Sequence, residues 1–193
     1  MSSHLLTVVA HCVACFALVS LGAVQAQPVP PAVGDITVDR AQPTPLQDVR
    51  KLIAAGQGKQ ALARADSHLA KNPRDAQMRF VRGVILTDLS ETEAARGAFQ
   101  QLVDDFPELP EPYNNLAVLY AADGQLDRAR LALEMALLAK PDYATAHENM
   151  GDVYLQMAAE AYQRASNLQP TNRAITTKLN LTRDIVTKTR AAR

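Results

Sequence analysis

Two histidines and one glycine-rich segment are the places in this sequence where chemistry could be expected. His147 is followed by Glu148, as in a zinc-protease helix, but that motif needs a second histidine four residues after the first, and position 151 is glycine. His68 has no acid or cysteine at the spacing of a metal-ligand set. Gly56–Lys59 resembles a phosphate-binding loop, yet no strand pattern precedes it and no Ser or Thr follows the lysine. We therefore predict no enzyme, no metal site and no cofactor.

The charges of the chain balance but are unevenly distributed along it. The sequence has 20 Lys and Arg and 20 Asp and Glu, which removes the overall positive charge typical of a nucleic-acid-binding protein. Residues 40–82 and 164–193 each carry a net charge of +6, whereas residues 83–163 carry −10. This order predicts basic ends and an acidic middle. This uneven distribution of charge is compatible with an ordinary solvated surface. It is also compatible with an acidic groove, or with a basic C-terminal face that contacts anionic lipid or a partner.

The N-terminal segment 1–26 has the pattern of an export signal. No charged side chain precedes Asp35, and the segment from Leu5 to Leu21 is almost entirely apolar. Val24 and Ala26 are the small residues that a signal peptidase accepts before its cut, so we predict cleavage after Ala26 and a periplasmic protein. The alternative is a retained segment that anchors the chain in the inner membrane, since the apolar run is close to the minimum for a membrane span.

A proline-rich linker follows at residues 27–44. Its prolines, with the one just after it, are Pro28, Pro30, Pro31, Pro43 and Pro45. Proline at this density favours extended chain and cannot form the interior of a helix. We therefore expect a spacer between the export signal and the folded domain.

Proline then recurs at a nearly fixed interval. Pro73, Pro107 and Pro141 are equally spaced, and Pro170 follows after a shorter interval. Small residues recur with the same period: Gly83, Ala117 and Gly151 share one position, and Ala95 and Ala129 share another. Paired helices approach closely only where the facing residues are small, and a proline after the second helix ends it. With an Ala- and Leu-rich composition, this pattern predicts an all-α chain of helical hairpins.

Residues 110–143 carry the fullest version of the pattern. The matching positions are Tyr113, Asn115, Leu116, Ala117, Tyr120, Gly124, Ala129, Leu133, Ala136 and Pro141. They resemble the tetratricopeptide repeat, a helix–turn–helix unit of about 34 residues that stacks into a solenoid. The resemblance implies about three and a half repeats with a C-terminal capping helix. The units are a degenerate hairpin at 45–75, full repeats at 76–109 and 110–143, a shortened repeat at 144–170, and the capping helix with its tail at 171–193.

The third of these repeats is five residues short, and the missing residues are those of the turn between its helices. No Gly or Pro occurs between Asp152 and Gln169, so we predict one continuous helix over about 144–168. A tight turn near Ala158 is the alternative. A helix of that length would end the solenoid or present a face to another chain.

The resemblance also implies where a partner binds, because the first helices of successive repeats line the concave face in this family. The corresponding positions are Phe80, Val84, Thr87 and Asp88, then Asn114, Val118 and Ala121, then Glu148, Asp152 and Leu155. Family members that hold the C-terminal carboxylate of a chaperone use Lys and Asn at the first two positions of such a set. Those positions hold Phe80 and Val84, then Asn114 and Val118, so we expect an apolar or amphipathic peptide or helix instead.

These features predict a non-catalytic protein–protein interaction scaffold of the bacterial cell envelope. Its partner is a protein, with no nucleic acid expected and membrane contact only through an uncleaved N-terminal segment. One alternative is a homo-oligomeric structural element that associates through residues 144–168, or a membrane-anchored chaperone-like adaptor. Another is an enzyme or its accessory subunit, although no set of titratable residues converges in the sequence.

Overall fold

The computed structural model describes residues 43–191, with side chains as far as residue 188. The predicted signal peptide or anchor at 1–26, and the predicted linker as far as residue 42, lie outside the described residues. No helix of the described part is both long enough and apolar enough to span a membrane.

Eight α-helices, and no strand, make up the described part of the chain. They are α1 (Pro45–Ala54), α2 (Gly58–Leu69), α3 (Ala76–Asp88), α4 (Thr92–Asp105), α5 (Pro110–Ala122), α6 (Leu126–Ala139), α7 (Ala144–Leu168) and α8 (Arg173–Ala191). Each helix packs against the next one along the chain. The predicted all-α fold of stacked helical hairpins is thereby confirmed.

Three hairpins reverse direction at a residue with a left-handed backbone. Gly56, Ser90 and Gly124 follow α1, α3 and α5, and have φ of 69°, 61° and 74°. They are separated by the same interval as the prolines, so the same turn recurs at the same position of each repeat. Glycine adopts this conformation without the steric cost that Ser90 bears.

The next position in this series is Ala158, and there the chain does not turn. α7 continues as a helix from Ala144 to Leu168, without the tight turn that was the alternative. Alanine is the best helix former and is disfavoured in the left-handed conformation by about 1 kcal/mol. With the turn residues also missing, the helical conformation is the favourable one at this point.

The core of the two full repeats lies where small residues meet large ones. Gly83 lies so close to Phe99 that a Cβ atom on it would be 2.6 Å from the ring. Phe99 is fully buried, and so is Ala129, while Ala117 is 1% exposed. Close helix crossings at Gly83, Ala117 and Ala129 are what the spacing predicts.

The prediction of a crossing at Gly151 is wrong. A Cβ on Gly151 would have no atom within 4 Å, and the residue is exposed. In the preceding repeat the equivalent Ala117 is covered by α6, the second helix of the same hairpin. The third repeat has no second helix at that place, because α7 continues past the position where the chain should turn.

The last helix, α8, packs instead against the C-terminal part of α7. Lys178 Nζ lies 5.8 Å from the centre of the Tyr162 ring, and Arg183 donates a hydrogen bond to Gln163. On the face of α8 that is covered, Leu179 is 4% exposed and Thr182 is 8% exposed.

Asp75 ends the turn between the first two hairpins and caps α3. Its carboxylate accepts a hydrogen bond from the Met78 backbone N–H at 3.0 Å, and His68 Nε2 lies 2.8 Å from the other carboxylate oxygen. The Met78 bond lowers the pKa of Asp75 below 3.8, with His68 acting in the same direction and burial opposing them. The sequence spacing did not reveal this acid beside His68, because six residues lie between the two in the sequence.

We predict opposite effects of the same substitution at two glycines. Gly83→Ala should lower the free energy of unfolding by about 1–2 kcal/mol, because overpacking against Phe99 outweighs the gain in helix propensity. Gly151→Ala should raise it by up to about 1 kcal/mol, because the methyl group enters open space on a helix. Urea unfolding followed by circular dichroism measures both. Equal effects would contradict the different environments of the two positions.

We also predict a pH-dependent contribution from the Asp75 cap. Asp75→Ala should lower the free energy of unfolding by about 1 kcal/mol at neutral pH. Because the pKa of Asp75 is lower in the folded than in the unfolded chain, the stabilisation is complete above about pH 5 and is lost as the pH falls through the folded-state value. The difference between wild type and variant should therefore shrink on acidification. Glu148→Ala, which removes an exposed carboxylate, is the control, and a difference independent of pH would refute the effect.

Candidate partner-binding groove

The predicted groove residues lie on three first helices, α3, α5 and α7, and four of the ten line two hollows. The structure brings three of them, Val118, Ala121 and Asp152, to one cavity between α5 and α7. Phe80 lines a second hollow between α1, α3 and α5. The other six line neither hollow.

The cavity between α5 and α7 has a volume of about 140 Å³. Its lining residues are Ala117, Val118, Ala121, Ala122, Leu133, Asn149, Asp152, Val153 and Gln156. The floor is made of small and branched apolar side chains, while carboxamides and one carboxylate lie on the α7 side. Val118 is 39% exposed, so part of this apolar surface faces solvent. Such a cavity can take one apolar side chain of a peptide.

The predicted residue Asn114 serves the fold beside this cavity. It is 6% exposed, and its Oδ1 accepts a hydrogen bond from Asn149 Nδ2 at 2.8 Å. The two residues belong to the first helices of successive repeats, so the bond fixes α5 against α7. Asn149 and Gln156 are cavity residues that sequence reasoning missed. Asn149 holds the same place in its repeat as Asn115, which is not a predicted groove residue, so register gave no signal for it.

The hollow between α1, α3 and α5 is larger, at about 440 Å³. Its apolar surface comes from Phe80, Val81, Leu109 and Pro112, with Ala76 beside them, and its polar side chains are Arg50, Gln77 and Glu111. The Phe80 ring is half-buried and packs against Phe99, with ring centres 5.8 Å apart. Phe80 therefore contributes to the core as well as to the hollow, and replacing it with Glu would disturb the fold.

The remaining predicted residues have other surroundings. Thr87 donates a hydrogen bond from its hydroxyl to the Gly83 carbonyl at 3.0 Å, within α3. Val84 is half-buried against the core, and Leu155 is half-buried on α7. Asp88 and Glu148 are exposed.

Acidic side chains lie near the N-terminal end of α5. Burial raises the pKa of Tyr113, and the nearby carboxylates of Asp104 and Glu108 raise it further. Burial likewise raises the pKa of Tyr143, together with Glu111. Part of the negative charge of the middle segment is therefore gathered near these tyrosines.

Among the described residues, no group of three or more His, Cys, Asp or Glu side chains is placed to hold a metal ion. His147 Nε2 is hydrogen-bonded at 2.9 Å to the Pro141 carbonyl, so it ties the start of α7 to the preceding turn. His68 belongs to the Asp75 cap.

Sequence profiles of known families cover most of the folded part. Two profiles, both described as tetratricopeptide repeat, match residues 49–110 and 86–151, and together they cover more than half of the chain. The chain belongs to the tetratricopeptide repeat family. Repeats of this family are in general non-catalytic interaction modules.

Individual tetratricopeptide repeat proteins resemble it more distantly. The Arabidopsis thaliana chloroplastic protein PYG7 is 27% identical over 146 residues, 66% of this chain and 48% of that protein. The chain thus spans about half the length of this curated relative. TTC0263 of Thermus thermophilus has a TM-score of 0.54 at 25% identity, covering 72% of this chain and 79% of that one. The second tetratricopeptide repeat domain of human RPAP3, solved with the HSP70 peptide SGPTIEEVD, has a TM-score of 0.53 at 14% identity, covering 57% and 92%.

Proposed function

We propose that this tetratricopeptide repeat protein is a non-catalytic scaffold of the bacterial cell envelope that holds a peptide or helix of a partner protein between α5 and α7. The cavity of about 140 Å³ lined by Val118, Ala121 and Asp152 carries this proposal. It combines a partly exposed apolar wall with carboxamide and carboxylate groups, which is the composition of a small peptide-binding pocket.

The composition of the groove indicates the kind of segment it takes. The solved RPAP3 domain holds a peptide that carries acidic residues near its C-terminus. In this chain the cavity has an apolar wall at Val118 and a carboxylate at Asp152, and the middle segment carries a net charge of −10. An acidic C-terminus would be repelled, whereas an apolar anchor residue followed by a basic residue would be attracted. We therefore infer an amphipathic segment with basic side chains as the ligand.

The place of action rests on the N-terminal sequence. We propose that the chain is exported and cleaved after Ala26, which gives a periplasmic protein beginning at Gln27. N-terminal sequencing of the chain recovered from the cell envelope should therefore begin at Gln27. Recovery of material that begins at Met1 would support the inner-membrane anchor instead.

The groove can be tested by photo-crosslinking in the native host. A photo-reactive amino acid at Ala122, an exposed position on the cavity wall, should form an adduct with the partner. Adding Val118→Glu should lower the adduct yield about tenfold, because a carboxylate placed on the apolar wall loses its hydration when the partner binds. The partner in the adduct is identified by mass spectrometry.

Leu131→Glu is the matched control for this experiment. Leu131 is 52% exposed on α6 and lines neither hollow, so the substitution adds the same charge elsewhere on the surface. It should leave the adduct yield unchanged, and both variants should keep the wild-type thermal unfolding curve. An adduct that survives Val118→Glu, or that both variants lose equally, would refute binding between α5 and α7.

A further inference from the structure

Among the described residues 43–191, no helix covers most of one face of α7. We call it the α7 stripe, and its residues are alternately four and three apart: His147, Gly151, Tyr154, Ala158, Ala161, Ala165 and Leu168. This spacing places all seven on one side of the helix, over about 31 Å. Tyr154 is 51% exposed and Leu168 is 82% exposed.

The preceding repeat shows what covers this face in a complete hairpin. Tyr113, Ala117 and Tyr120 hold the equivalent positions of α5, and their exposed fractions are only 9%, 1% and 6%. They belong to the core cluster that the residues of α6 share, and Arg128 of α6 donates a hydrogen bond to the Tyr120 hydroxyl at 2.8 Å. The first three residues of the α7 stripe therefore hold positions that are buried in a complete hairpin. Among the described residues, the third repeat has no second helix to bury them.

α8 does not take over this role in the described part of the chain. It contacts α7 at Tyr162 and Gln163, beside the stripe, where Ala158 and Ala165 are half-buried. Gly151, Tyr154, Ala161 and Leu168 stay exposed. Gly151, at the position where a hairpin crossing was expected, has no atom within 4 Å of the place where a Cβ would be. A long and regularly spaced helical face, most of whose residues are exposed, thus has no helix packed over it within the part of the chain that the structure describes.

We propose that two copies of this chain associate by packing their α7 stripes against each other in antiparallel orientation. In antiparallel helix pairs with this spacing, each position faces the complementary position of the reversed helix. Gly151 then faces Leu168 of the other copy, Tyr154 faces Ala165, and Ala158 faces Ala161. The two large side chains each meet a small residue, and the central alanines let the backbones approach closely.

The order of side-chain sizes is the reason for choosing a second copy as the occupant. From Gly151 to Leu168 the stripe runs small, large, small, small, small, large, and the reversed helix supplies a small residue opposite each large one. A two-fold symmetric interface requires such self-complementarity, whereas a helix of a different protein does not. The stripe also continues for ten residues past Ala158, farther than the second helix of a single hairpin would require.

Disulfide crosslinking in cells that express the full chain tests the pairing. Cys12→Ser and Cys15→Ser first remove the native thiols. Tyr154→Cys in one tagged chain and Ala165→Cys in a differently tagged chain should then give a mixed disulfide dimer after mild oxidation. Tyr154→Cys alone should give none, since Tyr154 faces itself only in a parallel pair. A dimer from Tyr154→Cys alone, or no mixed dimer, would overturn the proposal.

A charge placed in the stripe provides the second measurement. Adding Ala161→Glu to both chains should lower the mixed dimer at least about tenfold, because two carboxylates would be buried near the two-fold axis. Ala63→Glu makes the same change at an exposed position of α2 and should leave the yield unchanged. Both variants should unfold at the wild-type temperature. Undiminished dimer with Ala161→Glu would show that another surface, or another protein, brings the chains together.

The dimer test is independent of the partner-binding groove. Val118→Glu should leave the mixed disulfide unchanged, because Val118 belongs to α5 and the cavity rather than to the stripe. A result that refutes partner binding between α5 and α7 therefore does not affect the proposed dimer, and a result that refutes the dimer does not affect partner binding.

Discussion

A left-handed residue after each of α1, α3 and α5 is the constraint on which the rest of the fold depends. Gly56, Ser90 and Gly124 adopt positive φ at one fixed interval and turn the chain back on itself. Only after this reversal can the second helix reach the small residue of the first, as α4 reaches Gly83 through Phe99. The small-residue crossings are therefore a consequence of the turn as much as of the side chains that meet there.

The periodic part of the structure could be predicted from the sequence for this reason. The recurring small residues indicate where paired helices cross, and the recurring prolines indicate where each second helix ends. A helical hairpin satisfies both patterns at once. Helix type and order follow from that pattern. Gly151 shows its limit, since a glycine at the right position in the sequence lacks the helix that would give it a packing role.

Predicting the groove was harder, because register fixes a residue's place on a helix but not what lies next to it. Val118, Ala121 and Asp152 lie together because α5 and α7 are adjacent first helices. Phe80 has the same register as Asn114, yet it packs on Phe99. The helices α3 and α4 cross at Gly83, where the missing side chain leaves room for the Phe99 ring. Asn114 is instead engaged by Asn149 of the next repeat. Neither contact is local in sequence, so neither could be predicted from spacing.

One local change accounts for several features of the C-terminal part. Because the turn residues are missing and alanine stands at position 158, α7 continues as one helix. The helix that follows, α8, packs against the C-terminal part of α7, at Tyr162 and Gln163, and does not reach Gly151. Among the described residues, most of the face that a second helix would cover stays exposed, and the added turns of helix lengthen it. Small residues continue along that extension at Ala158, Ala161 and Ala165, of which Ala161 is exposed and the other two are half-buried. This face keeps the small residues that let a second helix pack closely, but no described helix packs there. That is the physical ground for expecting a second chain to supply the contact.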